Sequence, residues 1–169
     1  MVSIGEGGIS MGKKIIKSIC IIGGIIVSII FASKRYIKIV DEKDMKIKKF
    51  KNYYNLANKW LIINNQGRNI AEYFDKNGWH NIAIYGIGEL GNRLYEELLE
   101  SNVKIHYAID KEASNRYSNI KVLTMDDDLE PVDVIIVTPI FDYDAICVLL
   151  EKKTDIRIIS LEDVIYNFI

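Results

Sequence analysis

The feature that most constrains the fold is a change of hydrophobic pattern at residue 81. Beyond it, short apolar runs alternate with amphipathic segments. A helix is indicated over residues 89–100, where Leu90, Leu94 and Leu98 recur every four positions. Strands are indicated at 82–85, 104–109, 121–123, 132–137 and 157–159, and further helices at 142–151 and from residue 160 onward. Such alternation favours a parallel sheet with right-handed crossovers, so we predict an α/β domain with about five strands.

A glycine-rich motif follows the first predicted strand directly. It consists of Gly86, Ile87, Gly88, Glu89, Leu90 and Gly91. The pattern GxGxxG is weak by itself, but here it joins a strand to an amphipathic helix. The second strand ends at Asp110, twenty-four residues after Gly86. This order of elements is typical of a dinucleotide-binding βαβ unit.

The residues of this motif have separable predicted roles. Gly86 would permit a tight turn off the strand, and Gly91 would let the helix pack closely on the sheet. Gly88 would let the backbone approach a phosphate, which the N–H groups at the helix start attract. Asp110 would accept hydrogen bonds from a ribose diol and would disfavour a 2′-phosphate. The motif therefore indicates NAD or a nucleoside diphosphate over NADP.

A second interpretation of the motif requires no ligand. The glycines would then serve only the turn and the packing of the helix. Glu89 favours this interpretation, because a carboxylate at the helix start supplies the negative charge that the helix dipole attracts and repels the charge of a phosphate.

Three stretches of the sequence carry a resemblance to known proteins: NIAIYGIGELGNRLYEELL, IHYAIDKE and VDVIIVTP. They resemble the Rossmann-like NAD(P)- and nucleotide-binding domains of bacterial sugar-modification and surface-glycan proteins. The chain looks like the C-terminal domain of sugar C-methyltransferases and the N-terminal nucleotide-sugar domain of sugar acetyltransferases. The resemblance covers residues 68–169.

The resemblance implies a site for NAD or a nucleotide sugar around the glycine-rich motif and Asp110. Thr138 and Pro139 follow the fourth predicted strand and would line the same crevice. The similar enzymes carry their chemistry in a second domain, for which we expect no room within 169 residues. The sequence also shows no nucleophile–base pair. Whether the chain is an enzyme stays open, and a binding role is favoured.

An apolar stretch near the N-terminus predicts a transmembrane helix at residues 15–33. A bilayer core of ~30 Å needs ~20 apolar residues in a helix, so the stretch is short but sufficient. A cleaved signal peptide fits less well, because the end of the stretch lacks the small-x-small pattern of a cleavage site. A buried strand pair turning at Gly23 and Gly24 would need a partner sheet that the rest of the chain does not offer.

Apolar residues continue at spacings of three and four beyond this stretch. They are Ile47, Phe50, Tyr54, Ala57 and Leu61. The spacing predicts a helix over residues 43–64, and a second helix follows at 69–76. We expect both helices to pack on the domain that follows them.

The charge of the chain changes sign near residue 51. Residues 1–51 carry a net charge of +7 and residues 52–169 carry −8. Eight Lys/Arg follow the apolar stretch before residue 52 and three precede it, which predicts a cytoplasmic C-terminal domain and a basic flank along anionic headgroups. The predicted organisation is a disordered segment at 1–14, with Met11 as an alternative start, a transmembrane helix at 15–33, a basic juxtamembrane helical connector at 34–67, and a Rossmann-like nucleotide-binding domain at 68–169.

Composition narrows the function classes. Two Cys and two His exclude a disulfide framework and a Cys/His metal cluster. The acidic C-terminal part argues against nucleic acid as a partner. The 32 Ile, 17 Lys and 13 Asn beside seven Ala are typical of an AT-rich bacterial genome, which predicts the bacterial cytoplasmic membrane as the location.

Three functions are compatible with these features. The favoured one is a membrane-anchored protein that binds NAD or a nucleotide sugar beside glycosyltransferase-type enzymes of cell-surface polysaccharide synthesis. The second is a nucleotide-sensing regulatory module of a membrane transport protein, of the potassium-channel gating type. The third is a vestigial Rossmann domain that mediates an interaction without a ligand. An oxidoreductase is the least favoured function, because the sequence shows neither a proton-transfer pair nor a substrate domain.

Overall fold

The computed structural model describes the backbone of residues 6–111 and 120–168, and the side chains within 23–111 and 120–168 except those of residues 25 and 27. The first helix, α1, covers Glu6–Asn65. The chain divides into two compact units, Met1–Lys51 and Asn52–Ile169. This division coincides with the point at which the charge changes sign along the sequence.

The first unit contains the part of α1 that ends at Lys51. The helical backbone includes residues 6–14, for which the sequence indicated disorder, while residues 1–5 lie outside the described part of the chain. No proline interrupts residues 6–14, and each glycine among them disfavours a helix by only about 1 kcal/mol.

The predicted transmembrane helix at 15–33 lies within α1. The side chains of residues 15–22 are outside the described ones. Among the residues that the structure describes, no helix is both long and apolar enough to cross a membrane. The membrane span therefore stays a prediction from the sequence.

The second unit is an α/β domain built on a parallel sheet, as predicted. In the described part of the chain the sheet has five strands, in the order β3-β2-β1-β4-β5. The strands are β1 (Asn81–Tyr85), β2 (Lys104–Ile109), β3 (Val122–Leu123), β4 (Val134–Val137) and β5 (Ile158–Ser160). The chain proceeds outward from β1 in one direction and from β4 in the other. This is the order of doubly wound dinucleotide-binding sheets, in which a crevice opens at the carboxyl ends of β1 and β4.

Helices cover both faces of this sheet. They are α2 (Ala71–Asn77), α3 (Glu89–Leu98), α4 (Tyr143–Glu151) and α5 (Leu161–Tyr166), and a 3-10 turn covers Ile140–Asp142. Because side chains alternate along a strand, Ile82 and Ile84 pack on the face that carries α3, while Ala83 and Tyr85 pack on the face that carries α4. The strands are buried on both faces, which explains the nearly continuous apolar run of β4.

The last part of α1 also belongs to the domain core, through a different face from the one we predicted. Ile47, Phe50, Tyr54, Ala57 and Leu61 are exposed. The buried residues of α1 are instead Leu56, Trp60 and Ile63. The indole N–H of Trp60, on this face, also donates to the Glu97 carboxylate of α3 at 2.5 Å. Residues that we assigned to the connector therefore form part of the folded domain.

Candidate functional site

The glycine-rich turn begins where β1 ends. Gly86 has a φ of +90°, a backbone conformation that side chains other than glycine rarely adopt. A Cβ at this position would lie 2.8 Å from the Cδ and Cγ atoms of Pro139. The Gly86 N–H donates to the carbonyl of Ile109 at 2.8 Å. Backbone conformation and space both require a glycine, which confirms the predicted turn role of Gly86.

Gly91 permits the close approach of α3 to the end of β1. A Cβ at Gly91 would lie 2.0 Å from the carbonyl oxygen of Gly86 and 3.3 Å from Oγ1 of Thr138. The Thr138 hydroxyl donates to that same Gly86 carbonyl oxygen at 2.7 Å. Three backbone segments therefore meet at one point, and the predicted packing role of Gly91 is confirmed.

Gly88 differs from the other two glycines. It is the N-cap residue of α3, it is exposed, and its backbone is extended, with φ −81° and ψ −162°. Any residue adopts this conformation, and a Cβ at this position would meet nothing within 4 Å. The packing of the described residues therefore does not require a glycine here, although glycine is a favoured N-cap residue.

Asp110 holds the glycine-rich turn. Its Oδ2 accepts a hydrogen bond from the backbone N–H of Ile87 at 2.8 Å. Ile87 is buried, so this bond satisfies a donor that would otherwise be costly to bury. We predicted ribose hydroxyls as the partners of this carboxylate, and the structure shows that one of its oxygens also contacts the turn.

A cavity of ≈ 550 Å³ lies beside the turn, at the carboxyl ends of the central strands. Its size is within the range of small-molecule sites. It is lined by Tyr85, Gly86, Asp110, Lys111, Pro139, Asp142, Ala145, Ile146 and Leu149. The structure therefore brings together at one cavity three of the residues that the sequence predicted, namely Gly86, Asp110 and Pro139.

The other predicted site residues have different positions. Ile87 and Leu90 point their side chains into the core on the α3 face, so only their backbones face the turn. Thr138 is buried and supports Gly86. Glu89 is exposed at the first turn of α3.

Tyr53 and Phe141, which the sequence pattern did not indicate as site residues, also lie near this turn. The two ring centroids are 5.2 Å apart. Partial burial, together with the negative charges of Asp142 and Glu89, raises the pKa of the Tyr53 hydroxyl. One signal was present in the sequence: Tyr53 lies one helical turn before the buried Leu56 of α1, although its own side chain is 38% exposed.

The charged side chains around the crevice are mainly acidic. Asp110 and Asp142 line the cavity together with one basic residue, Lys111. Glu89 adds a further carboxylate at the start of α3. This arrangement opposes the binding of a highly charged anion, although exposed charges are strongly screened by water and salt.

The acidic run at residues 126–128 forms a turn. Asp127 accepts hydrogen bonds from the backbone N–H and the hydroxyl of Thr124, at 2.7 and 2.8 Å. These bonds lower the pKa of the Asp127 carboxyl. Among the described residues, no group of three acidic, His or Cys side chains could hold a metal ion.

Comparisons of the chain with protein families, with curated proteins and with solved structures find no match. The features of this chain that bear on its function are the strand order, the two glycines that the packing requires, and a third glycine that the packing does not require.

Proposed function

We propose that this chain is a single-pass membrane-anchored protein with a Rossmann-like cytoplasmic domain that binds NAD or a nucleotide sugar. We further propose that it serves as an accessory to glycosyltransferase-type enzymes of bacterial cell-surface polysaccharide synthesis. The observation that carries the binding proposal is the open space around Gly88, at the start of α3.

The backbone at Gly88 supports a phosphate-binding role. The first N–H groups of a helix have no partner within the helix, and no side-chain hydrogen bond caps α3 at Gly88. The helix dipole adds a partial positive charge at the same place. A phosphate lying against Gly88 would satisfy these donors, and a side chain at residue 88 would occupy its space.

The neighbouring cavity supports a site for the remainder of such a ligand. Ala145, Ile146 and Leu149 of α4 form an apolar wall, and Asp110 and Lys111 supply polar groups to the same cavity. Binding sites for cofactors commonly combine an apolar lining with a few placed polar groups. A base or nicotinamide ring fits the apolar wall in size and character.

The membrane part of the proposal is supported by sequence pattern. The apolar stretch at 15–33 is followed by a strongly basic flank, which anionic headgroups attract by about 1 kcal/mol per nearby Lys or Arg. The test is alkaline extraction of membranes from cells that express the whole chain. Release of the chain by carbonate would contradict the anchor.

The binding proposal is tested by calorimetry and thermal unfolding with NAD, NADH, ATP, UDP and UDP-glucose. We expect NAD or UDP-glucose to raise the melting temperature. Gly88→Ala should weaken binding and Gly88→Val should abolish it, while both variants keep the circular dichroism of the unaltered chain. No binding by any of the five compounds would support the vestigial domain instead. A response to ATP or NADH that changes the oligomeric state would favour the regulatory module.

A further inference from the structure

The last part of α1 contacts the segment that shapes the crevice. Tyr53 packs its ring on Phe141, with the two ring planes at 47°. Phe141 lies in the 3-10 turn Ile140–Asp142, which follows directly after Pro139. Pro139 in turn lies against Gly86 and lines the cavity.

Short hydrogen bonds hold residues 138–142 as one piece. The N–H of Ile140 donates to the carbonyl of Thr138 at 2.8 Å, and the N–H of Asp142 donates to that of Pro139 at 3.0 Å. The Thr138 hydroxyl attaches the piece to the glycine-rich turn. One side of the piece faces the cavity through Pro139 and Asp142, while its Phe141 side chain contacts α1.

We propose that Tyr53 is a positioning residue of the ligand site: by packing on Phe141 it holds residues 138–142 in the conformation that shapes the crevice. This inference rests on the proposed function, because it concerns how well the same site binds. It makes ligand binding and the docking of residues 52–56 mutually stabilising, since coupling between two binding events is reciprocal. Any change that loosens residues 52–56 from the rest of the domain then weakens ligand binding.

The test compares dissociation constants of UDP-glucose and NAD for variants of the whole chain in detergent micelles. Removing one ring of an aromatic pair commonly costs enough for about a three- to tenfold change in an equilibrium, and we expect Tyr53→Ala to weaken binding by about that factor. Tyr53→Phe keeps the ring and should bind within about twofold of the unaltered chain. The matched control is Tyr54→Ala, the adjacent tyrosine, whose side chain is 62% exposed and should not affect binding.

Two further measurements separate positioning from a merely structural role. The double variant Tyr53→Ala, Phe141→Ala should bind no more weakly than Phe141→Ala alone, because both changes remove the same contact. Saturating UDP-glucose or NAD should slow amide hydrogen exchange at residues 52–56, and Gly88→Val should remove that effect.

The outcomes are distinguishable. Tyr53→Ala that lowers the melting temperature and leaves both dissociation constants unchanged would refute the positioning role and leave the proposed function intact. Equal weakening by Tyr54→Ala would refute it as well. If the unaltered chain binds neither UDP-glucose nor NAD, the proposed function fails and the positioning role fails with it.

Discussion

Gly88 and Gly91 lie three residues apart in one motif, yet the same substitution by Ala should have very different effects on stability at the two positions. Replacing Gly91 by Ala places a Cβ 2.0 Å from the carbonyl oxygen of Gly86, a distance that real Cβ atoms do not show. This neighbour is a backbone atom, so α3 or the end of β1 must move. Replacing Gly88 by Ala places a Cβ in open space on an extended backbone.

The magnitudes follow from these contacts. Inserting atoms into a packed site costs 1–3 kcal/mol, and more where backbone must shift, so we expect Gly91→Ala to lower the free energy of unfolding by about 3 kcal/mol or more. For a domain of this size that is a fall in melting temperature of roughly 10–15 °C. Gly88→Ala restricts the unfolded chain, which stabilises by about 0.4–1 kcal/mol, and supplies a poorer N-cap, which offsets the gain. The net change should stay within about 0.5 kcal/mol of zero.

The assay is urea unfolding of both variants followed by circular dichroism, with UDP-glucose and NAD binding measured on whichever variant folds. We expect Gly91→Ala to unfold at a much lower urea concentration than the unaltered chain. Gly88→Ala should unfold at the same urea concentration as the unaltered chain but bind less ligand. If Gly91→Ala is as stable as the unaltered chain, α3 does not approach β1 as closely as described. If Gly88→Ala loses more than about 1.5 kcal/mol, the fold itself needs this glycine, and the argument for a ligand at Gly88 fails.

Four other predictions concern single side chains. Asp110→Ala leaves the buried N–H of Ile87 without its carboxylate and should lower the free energy of unfolding by about 1–3 kcal/mol in urea titrations, whereas Asp110→Asn, which keeps an acceptor oxygen, should lower it less. Glu89→Gln removes a negative charge beside the proposed phosphate position and should tighten UDP-glucose binding by about two- to fivefold at low salt. The control Glu96→Gln, further along the same helix, should change this affinity little. Equal effects of the two variants would contradict a phosphate at the start of α3. Glu97→Ala removes the acceptor of the Trp60 and Ile70 N–H groups and should lower the melting temperature more than Glu96→Ala does, as measured by circular dichroism. Hydrogen bonds from the backbone N–H groups of Asn81 and His80 lower the pKa of the Asp133 carboxyl. Its contribution to stability is therefore present above its unfolded-state pKa of about 3.9 and is lost as pH falls through the lower folded-state value. Asp133→Asn should flatten the fall of the urea midpoint between about pH 5 and pH 3, and an unchanged slope would contradict this.

Local patterns predicted the strands of the sheet and helix α3 well. The apolar run at 82–85 corresponds to β1, and the helix indicated at 89–100 is observed as Glu89–Leu98. These elements follow from spacing alone, because a buried strand and an amphipathic helix have different periods. The turn and packing roles of Gly86 and Gly91 were also predictable, since they depend on neighbours within the motif and on the strand it follows.

Contacts between distant residues were not predictable from these patterns. α1 has two apolar stripes, and the buried one packs on residues far along the chain, such as Glu97, which lies thirty-seven residues beyond Trp60. The Tyr53–Phe141 pair joins two segments that no local period relates. The Asp110 side chain was predicted to face a ligand, and its bond to Ile87 depends on the exact path of a turn twenty-three residues earlier.

The hydrogen bonds at Glu97, which join α1, the start of α2 and α3, determine how the domain should unfold. Its carboxylate accepts hydrogen bonds from Trp60 and Asn64 of α1 and from the backbone of Ile70, before α2, while its own backbone belongs to α3. If the end of α1 left the domain core, Glu97 would lose the Trp60 and Asn64 donors and the buried apolar side chains of α1 would be exposed to water. Residues 56–77 should therefore exchange their amide hydrogens together with the central strands, in one cooperative opening. A protein that began at residue 68 would lack Leu56, Trp60 and Ile63 and would open far more readily than one that began at residue 52.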